Sequence, residues 1–464
     1  MFKRIRAFIL IPLAFVFLGQ GCTKAVPANI KEATKPVTLT WWSVFDDPNA
    51  LQPAITAYRA LHPNVSIDLK ILRVDEYEKT LINALAEDRG PDIFSMHNTW
   101  IPKYQGKLAP VPDTITVPFT FVQGTIKKEL VTELRTSPGL SVKDLKNQYI
   151  DAVAKDVIFP VPQAPPAQGS KDQIFALPLS ADSLALFYNK DLLNAAGIPE
   201  PPQYWDDFQK MIPKLTKQDK QGNIVQSGAA LGTAKNVERF SDILSVLMMQ
   251  NGTQMGDAYG PTFQLIPPEL SGRSTPPADD AVVFYTDFAN PAKEVYTWND
   301  KMPDSLTAFA SGQTAFFFGY DYNLPSIRAQ APKLNLGIAK LPQIRDNPEV
   351  NFANYWVNGV SKKSANQNWA WDFLEFAAKA DQNAKYLDAA KKPTALRSLI
   401  EKQAADIDLS VFASQMLTAK SWYHGKDDAG SEQAFSDLIY TVLNGNDLRQ
   451  AVINASNRVG ETYR

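Results

Sequence analysis

The stretch Phe175–Pro199, FALPLSADSLALFYNKDLLNAAGIP, constrains the fold most. Pro178 fixes its own φ and biases Leu177 away from the α region, so Leu177-Pro178-Leu179 reads as extended chain. Leu184, Leu186 and Tyr188 then project to one side, with Ala185 and Phe187 on the other. Apolar residues on both faces describe a strand covered on both sides. Asn189-Lys190-Asp191 breaks the strand, and Asp191–Ala196 reads as a short helix stopped by Gly197 and Pro199.

The first third of the chain repeats this grammar. Val37–Phe45 is a β-rich run, and Leu51–Leu61 carries apolar residues at helical spacing up to His62-Pro63. Val65–Val74 alternates as a half-buried strand, Glu76–Glu87 is a second helix, and Asp92–Met96 is a third strand. Strand-helix-strand-helix-strand at this spacing predicts an α/β fold with parallel strands. Ligands in such sheets sit beyond the carboxyl ends of the strands, here Ser43–Asp47 and His97–Trp100. His62 reads as a surface residue at a helix end.

Met1–Arg6 holds three basic residues, and Ala7–Leu18 is an apolar run too short to span a membrane. The segment 1–21 is therefore expected to be a signal peptide. Leu18-Gly19-Gln20-Gly21-Cys22 resembles a lipobox, although Leu18 stands four residues before Cys22 rather than three. It implies lipidation at Cys22, the chain's only cysteine. Residues 22–36 read as a flexible tether. Loss of Lys3, Arg4 and Arg6 would take the formal charge from −2 to about −5, which argues against nucleic-acid binding. The remaining ~430 residues exceed what one core supports, so two lobes are expected.

Pro110–Lys171 is less regular. Thr125–Leu134 and Ser141–Lys155 read as helical, and Phe159–Ala167 as a proline-rich loop. Helices are expected over Tyr204–Lys217, Val237–Asn251, Ala278–Asn290, Asn368–Lys379, Gln433–Leu443 and Leu448–Thr462. Strands are expected over Gln313–Phe318, Leu336–Leu341 and Asn354–Ser361.

Several strings carry a family resemblance. P-x-S-A-D-x-L-A-L-x-Y-N-K-D-L-x-x-x-A-G-I-P around Leu177–Pro199 is similar to the interlobe crossing of the extracellular solute-binding proteins of ABC importers. Gly90-Pro91-Asp92-Ile93-Phe94, the Trp205-Asp206 helix opening, Phe309–Tyr320 and Lys391–Arg397 resemble further motifs of that family, in the order of its maltose-binding-like, carbohydrate-binding type 1 members. Phe replaces the usual Met in the Phe309–Tyr320 string. The match runs from residue 37 to the C-terminus, with 110–171 as an insertion. The resemblance implies a periplasmic-binding-protein-like type II fold: two lobes, each a mixed sheet flanked by helices, with a ligand cleft between them. Lobe I would comprise 37–179 and 343–379, and lobe II 180–342 and 380–464. It further implies a monomer that partners an ABC permease and delivers a solute to it by hinge closure.

The residues favour binding over turnover. The chain lacks a nucleophile elbow, an H-E-x-x-H, a P-loop and a G-x-G-x-x-G. Three scattered histidines make no metal set, and no cofactor is implied. Paired carboxylates such as Asp46-Asp47 keep a surface glycoside hydrolase open as an alternative. The aromatics say more. Trp42, Trp100, Trp356, Tyr320, Tyr322, Trp422 and Tyr423 fall at strand ends or motif loops, beside Ser43, Asp46, Asp47, Asn98, Asp182 and Asp321. Sugars offer an apolar C–H face to rings and a rim of hydroxyls to carboxylates and amides. The resemblance implies stacking roles for Tyr320, Tyr322, Trp422 and Tyr423. Trp369 and Trp371 lie on an amphipathic helix and read as core. Arginine is absent from the expected cleft loops, which favours an uncharged sugar or oligosaccharide over an anion; the acidic loops leave a cationic solute such as a polyamine as an alternative ligand.

Overall fold

The computed structural model describes residues 27–125, 128–163, 169–257 and 259–464. The expected signal peptide and Cys22 lie outside the described residues. Among those described, no helix is long and apolar enough to cross a membrane.

Two apolar cores divide the chain. The first is built on a sheet in the order Val65–Ile71, Val37–Ser43, Ile93–His97, Trp356–Ser361, Leu108–Ala109, with Ala176–Leu177 also pairing to Trp356–Ser361. The first three strands are parallel, as the strand-helix alternation predicts, and Trp356–Ser361 enters antiparallel to Ile93–His97. Helices Pro48–Leu61 and Val74–Ala86 cover the sheet through Leu51, Ile55, Tyr58, Tyr77, Leu81 and Leu85. Trp371 is buried in this core and Trp369 nearly so.

The second core surrounds a sheet in the order Lys217–Gln218, Ile224–Ala229, Thr314–Gly319, Ala185–Asn189, Leu336–Ala339. Ala185–Asn189 runs antiparallel between Thr314–Gly319 and Leu336–Ala339. Its two faces feed different clusters. Leu186 packs with Phe208, Phe316 and Phe318, whereas Phe187 packs with Phe309, Phe317 and Phe412.

Between the cores lies a short sheet of Asp182–Ser183, Asn351–Asn354 and Ala419–Lys420, where the chain passes from one lobe to the other. It stitches the crossing that follows Leu177–Ser180 to two later ones.

Several expectations are corrected. The run expected as a helix over Thr125–Leu134 is instead part of a long hairpin, Thr114–Gln123 against Glu129–Pro138. Leu130 and Leu134 have helical spacing, but the Thr-rich strands zip through Thr116–Thr136 and Thr120–Thr132 hydroxyl bonds of 2.9 Å. Ile158–Pro162 is a strand paired with Ser170–Ile174 rather than loop; part of that expected loop, 164–167, lies outside the described residues. Within the expected tether, Ala28–Ala33 is a helix set against the long hairpin. His62 is buried, not a surface residue: its Nδ1 meets Pro118 O at 2.8 Å, and its ring lies among Tyr58, Phe119 and Trp369. The boundary expected at 379/380 also shifts. Tyr386, Leu387, Leu396 and Ile400 belong to the first core because helix Ala380–Ala390 packs on Pro48–Leu61, while Val350 and Phe352 belong to the second.

Leu186→Ala removes a fully buried side chain from the strand shared by both faces of the second lobe. We expect a loss of about 2–5 kcal/mol of unfolding free energy, read as a lower urea midpoint.

A ligand-sized cleft between the lobes

The carboxyl ends of the first-lobe strands, the crossing strands and four segments of the second lobe enclose a cavity of about 1060 Å³. That is at the upper end for small-molecule sites. Of the thirteen residues expected at or beside a ligand site, ten line it: Ser43, Asp46, Asn98, Trp100, Asp182, Asp321, Tyr322, Trp356, Trp422 and Tyr423.

Three do not. Trp42 follows the period-two alternation of its strand away from the cleft and lies under Lys70 Nζ, 5.2 Å from its ring. Asp47 is exposed and caps helix Pro48–Leu61, its Oδ1 accepting from Asn49 N at 2.8 Å. Tyr320 is fully buried, and its hydroxyl donates to Asp242 Oδ2 at 2.7 Å. Tyr320 nevertheless backs the site. Tyr322 stacks on it with ring centroids 5.5 Å apart and planes at 17°, leaving Tyr322 50% exposed on the cavity.

Aromatic rings stand on both walls. On the first-lobe side Trp356 meets Phe45 and Trp100 edge-on at 5.2 and 5.3 Å. Phe45, 52% exposed, is a cavity residue that the sequence reading passed over. Opposite, Trp422 is oriented by its Nε1 bond to Ser245 Oγ at 3.0 Å and by packing on Phe435. Tyr423 presents little surface. Its hydroxyl donates to Thr462 Oγ1 at 2.8 Å and accepts from Asp427 N.

The polar groups between the rings have settled partners. Asp46 accepts from Ser43 Oγ at 2.6 Å and Tyr386 OH at 2.7 Å. Asp428 accepts from Trp100 Nε1 at 2.8 Å, a bond that spans the cleft. His97 is held by Thr99 Oγ1 and Asn354 Oδ1, and burial lowers its pKa. Arginine does reach the cavity, against the sequence expectation: Arg239 and Arg328 both line it. Arg239 takes a left-handed φ of 56° just before helix Phe240–Gln250, which turns its guanidinium inward onto Asp242 at 2.8 and 3.0 Å. Arg328 is engaged with Asp408. Both cations are thus neutralised by acids of the same wall.

Asp182 and Asp321 differ. Among the described residues neither carboxylate takes a hydrogen bond from another side chain, and Asp321 is only 9% exposed. Burial raises the Asp182 pKa well above the usual value, with the neighbouring Asp321 adding to it. Burial likewise pushes Asp321 up to about 7, against the opposing pull of Lys392. Among the described residues no group of three or more acidic, histidine or cysteine side chains could hold a metal ion.

Two lobes, a hinge sheet and a cavity between the lobes define a protein of the periplasmic-binding type. The comparisons give the family. The family model for bacterial extracellular solute-binding proteins matches residues 138–384, and the chain belongs to that family. It is 21% identical to the galactooligosaccharide-binding protein of Bacillus subtilis (strain 168) over 408 residues, covering 87% of this chain and 83% of that protein. Its fold matches the crystal structure of the cyclic alpha-maltosyl-1,6-maltose binding protein from Arthrobacter globiformis with a TM-score of 0.69, at 19% identity, over 92% of this chain and 99% of that one. UgpB from Mycobacterium tuberculosis, solved with glycerophosphocholine, matches with a TM-score of 0.66 at 17% identity, over 92% and 98%.

The raised carboxyl of Asp321 fixes the sign of a pH effect. Between the ordinary aspartate value of 3.8 and about 7 the folded state keeps a proton that the unfolded state releases, so this group's contribution to stability falls as pH rises through that window. Asp321→Asn removes the effect. Urea titrations at pH 4 and pH 7.5 should show the variant gaining on wild type at the higher pH.

Proposed function

We propose that the protein is an extracytoplasmic receptor that captures a sugar or oligosaccharide by closing its lobes and hands it to an ABC permease. The observation that carries this reading is a cavity lined by aromatic rings from both lobes together with acids. Tyr322 and Trp422 line it from the second lobe, Trp100, Trp356 and Phe45 from the first, and Asp46, Asp182, Asp321 and Asp428 line it with them. Pyranose rings offer apolar C–H faces to such rings and hydroxyl donors to such carboxylates. A flat ring already stacked on a second, hydrogen-bonded ring loses little freedom on receiving a ligand, and this preorganisation favours affinity. The relatives support the ligand class, since the Bacillus protein is named for galactooligosaccharides and the Arthrobacter one for a cyclic maltosyl sugar.

The activity proposed is binding, not hydrolysis. Asp46, Asp242 and Asp428 are committed to protein donors, which suits them to hold a shape rather than to exchange protons. Ligand contacts shared between the two walls are available only when the lobes are together, so ligand binding shifts the population toward the closed form. Lipidation of Cys22 would hold the receptor at the membrane surface, beside the permease.

Thermal unfolding against a panel of malto-, galacto-, chito- and manno-oligosaccharides tests the reading. A ligand of the folded state raises the midpoint by mass action, about 2.7 kcal/mol at a hundred times its dissociation constant. We expect a saturable shift with at least one oligosaccharide. Tyr322→Ala and Trp422→Ala should each weaken its binding by about 2 kcal/mol, roughly thirtyfold in Kd. Shifts with polyamines alone would replace the sugar by a cation.

A further inference from the structure

Asp156 lies on helix Asp151–Val157, inside the segment 110–171 whose purpose the sequence leaves open. It is 1% exposed, yet among the described residues no lysine or arginine pairs with it. Its carboxylate instead gathers four donors from three separate parts of the chain. Oδ2 accepts from Asn98 Nδ2 at 2.8 Å and from Tyr355 OH at 2.5 Å. Ser421 Oγ lies 2.6 Å from Oδ1 and 2.7 Å from Oδ2, and His424 Nε2 lies 3.1 Å from Oδ1.

These donors come from both sides of the hinge. Asn98 follows strand Ile93–His97 in the first lobe, and Tyr355 joins the crossing strands Asn351–Asn354 and Trp356–Ser361. Ser421 and His424 flank Trp422 and Tyr423, which pack into the second core, whereas Ala152, Val153 and Val157 around Asp156 pack into the first. One buried carboxylate therefore fastens the ligand-facing segment Ser421–His424 of the second lobe to a helix of the first. A buried acid with one lobe's donors removed is left under-satisfied, which is costly, so the arrangement favours one relative placement of the lobes.

We propose that Asp156 is a positioning residue at the pivot of the hinge, limiting how far the lobes swing without a ligand and, with that, setting the place of Trp422 in the cleft. The segment 110–171 thereby supplies the pin of the hinge. This holds whatever solute the cleft takes.

The test needs no ligand. In the chain with Cys22→Ser, spin labels at Lys79→Cys and Lys214→Cys, exposed positions on helices of opposite lobes, report the interlobe distance by pulsed electron resonance. The unmodified hinge should give one narrow distribution. Ser421→Ala, which cuts the shorter of the two bonds that the second-lobe segment makes to Asp156 and spares those of Asn98 and Tyr355, should broaden it. Asp156→Ala should broaden it further or add a longer distance. Asp156→Asn should restore a narrow distribution, because its amide oxygen still accepts and its amide can donate to His424 Nε2 in the neutral ring. Distributions unchanged in both Ser421→Ala and Asp156→Ala would overturn the proposal, even if the unfolding midpoint fell, since a merely structural residue costs stability without moving the lobes. Should Asp156→Ala fail to fold, Ser421→Ala alone decides, by the same two outcomes.

Discussion

Everything in this molecule depends on the chain having to pass between two apolar cores that cannot merge. Each core is closed by its own sheet and helices, so the passages at Asp182–Ser183, Asn351–Asn354 and Ala419–Lys420 carry backbone and polar side chains into a place that is neither core nor open solvent. Buried polar groups there must find partners. They find them in the short hinge sheet, in Ser183 and Leu184 bonded to Gln415, and in the Asp156 cluster. The cleft is the remainder of that junction, where pairing is incomplete and a ligand's hydroxyls can complete it.

That origin accounts for the character of the walls. Ring faces come from residues just past strand ends, where the alternating pattern stops and side chains turn toward the gap. Some of the acids come with helices that begin there, as Asp242 and Asp428 stand in first turns. The outcome is a cavity in which Arg239 and Arg328 are already satisfied by Asp242 and Asp408, while Asp182 and Asp321 are held back from ionising by burial. Such a surface is suited to a neutral, hydroxyl-rich solute, which brings no charge to be desolvated.

Much of this was legible in the residues. Period and breakers marked Val37–Ser43, Val65–Ile71, Ile93–His97 and Ala185–Asn189 as strands, because parallel or two-sided burial leaves a strong pattern. Strand ends pointed to Trp100, Trp356 and Asp46. What escaped was decided by tertiary context. Leu130 and Leu134 fit a helix until Thr116 and Thr120 zip the hairpin across from them. Tyr320 and Tyr322 are two residues apart in sequence, yet only the structure shows that one is a buried prop and the other the exposed face. Arg239 was invisible as a cleft residue because its left-handed backbone, not its neighbours in sequence, aims it inward. Asp156 belongs to no motif, and its donors lie as far as 268 residues away.

The cavity is proposed as a ligand site that closes. Small-angle X-ray scattering on the protein titrated with the oligosaccharide that raises its unfolding midpoint tests it most directly. Lobe closure should make the radius of gyration contract and saturate with the same dissociation constant as the thermal shift. A ligand that saturates the protein while the radius of gyration stays constant would contradict it.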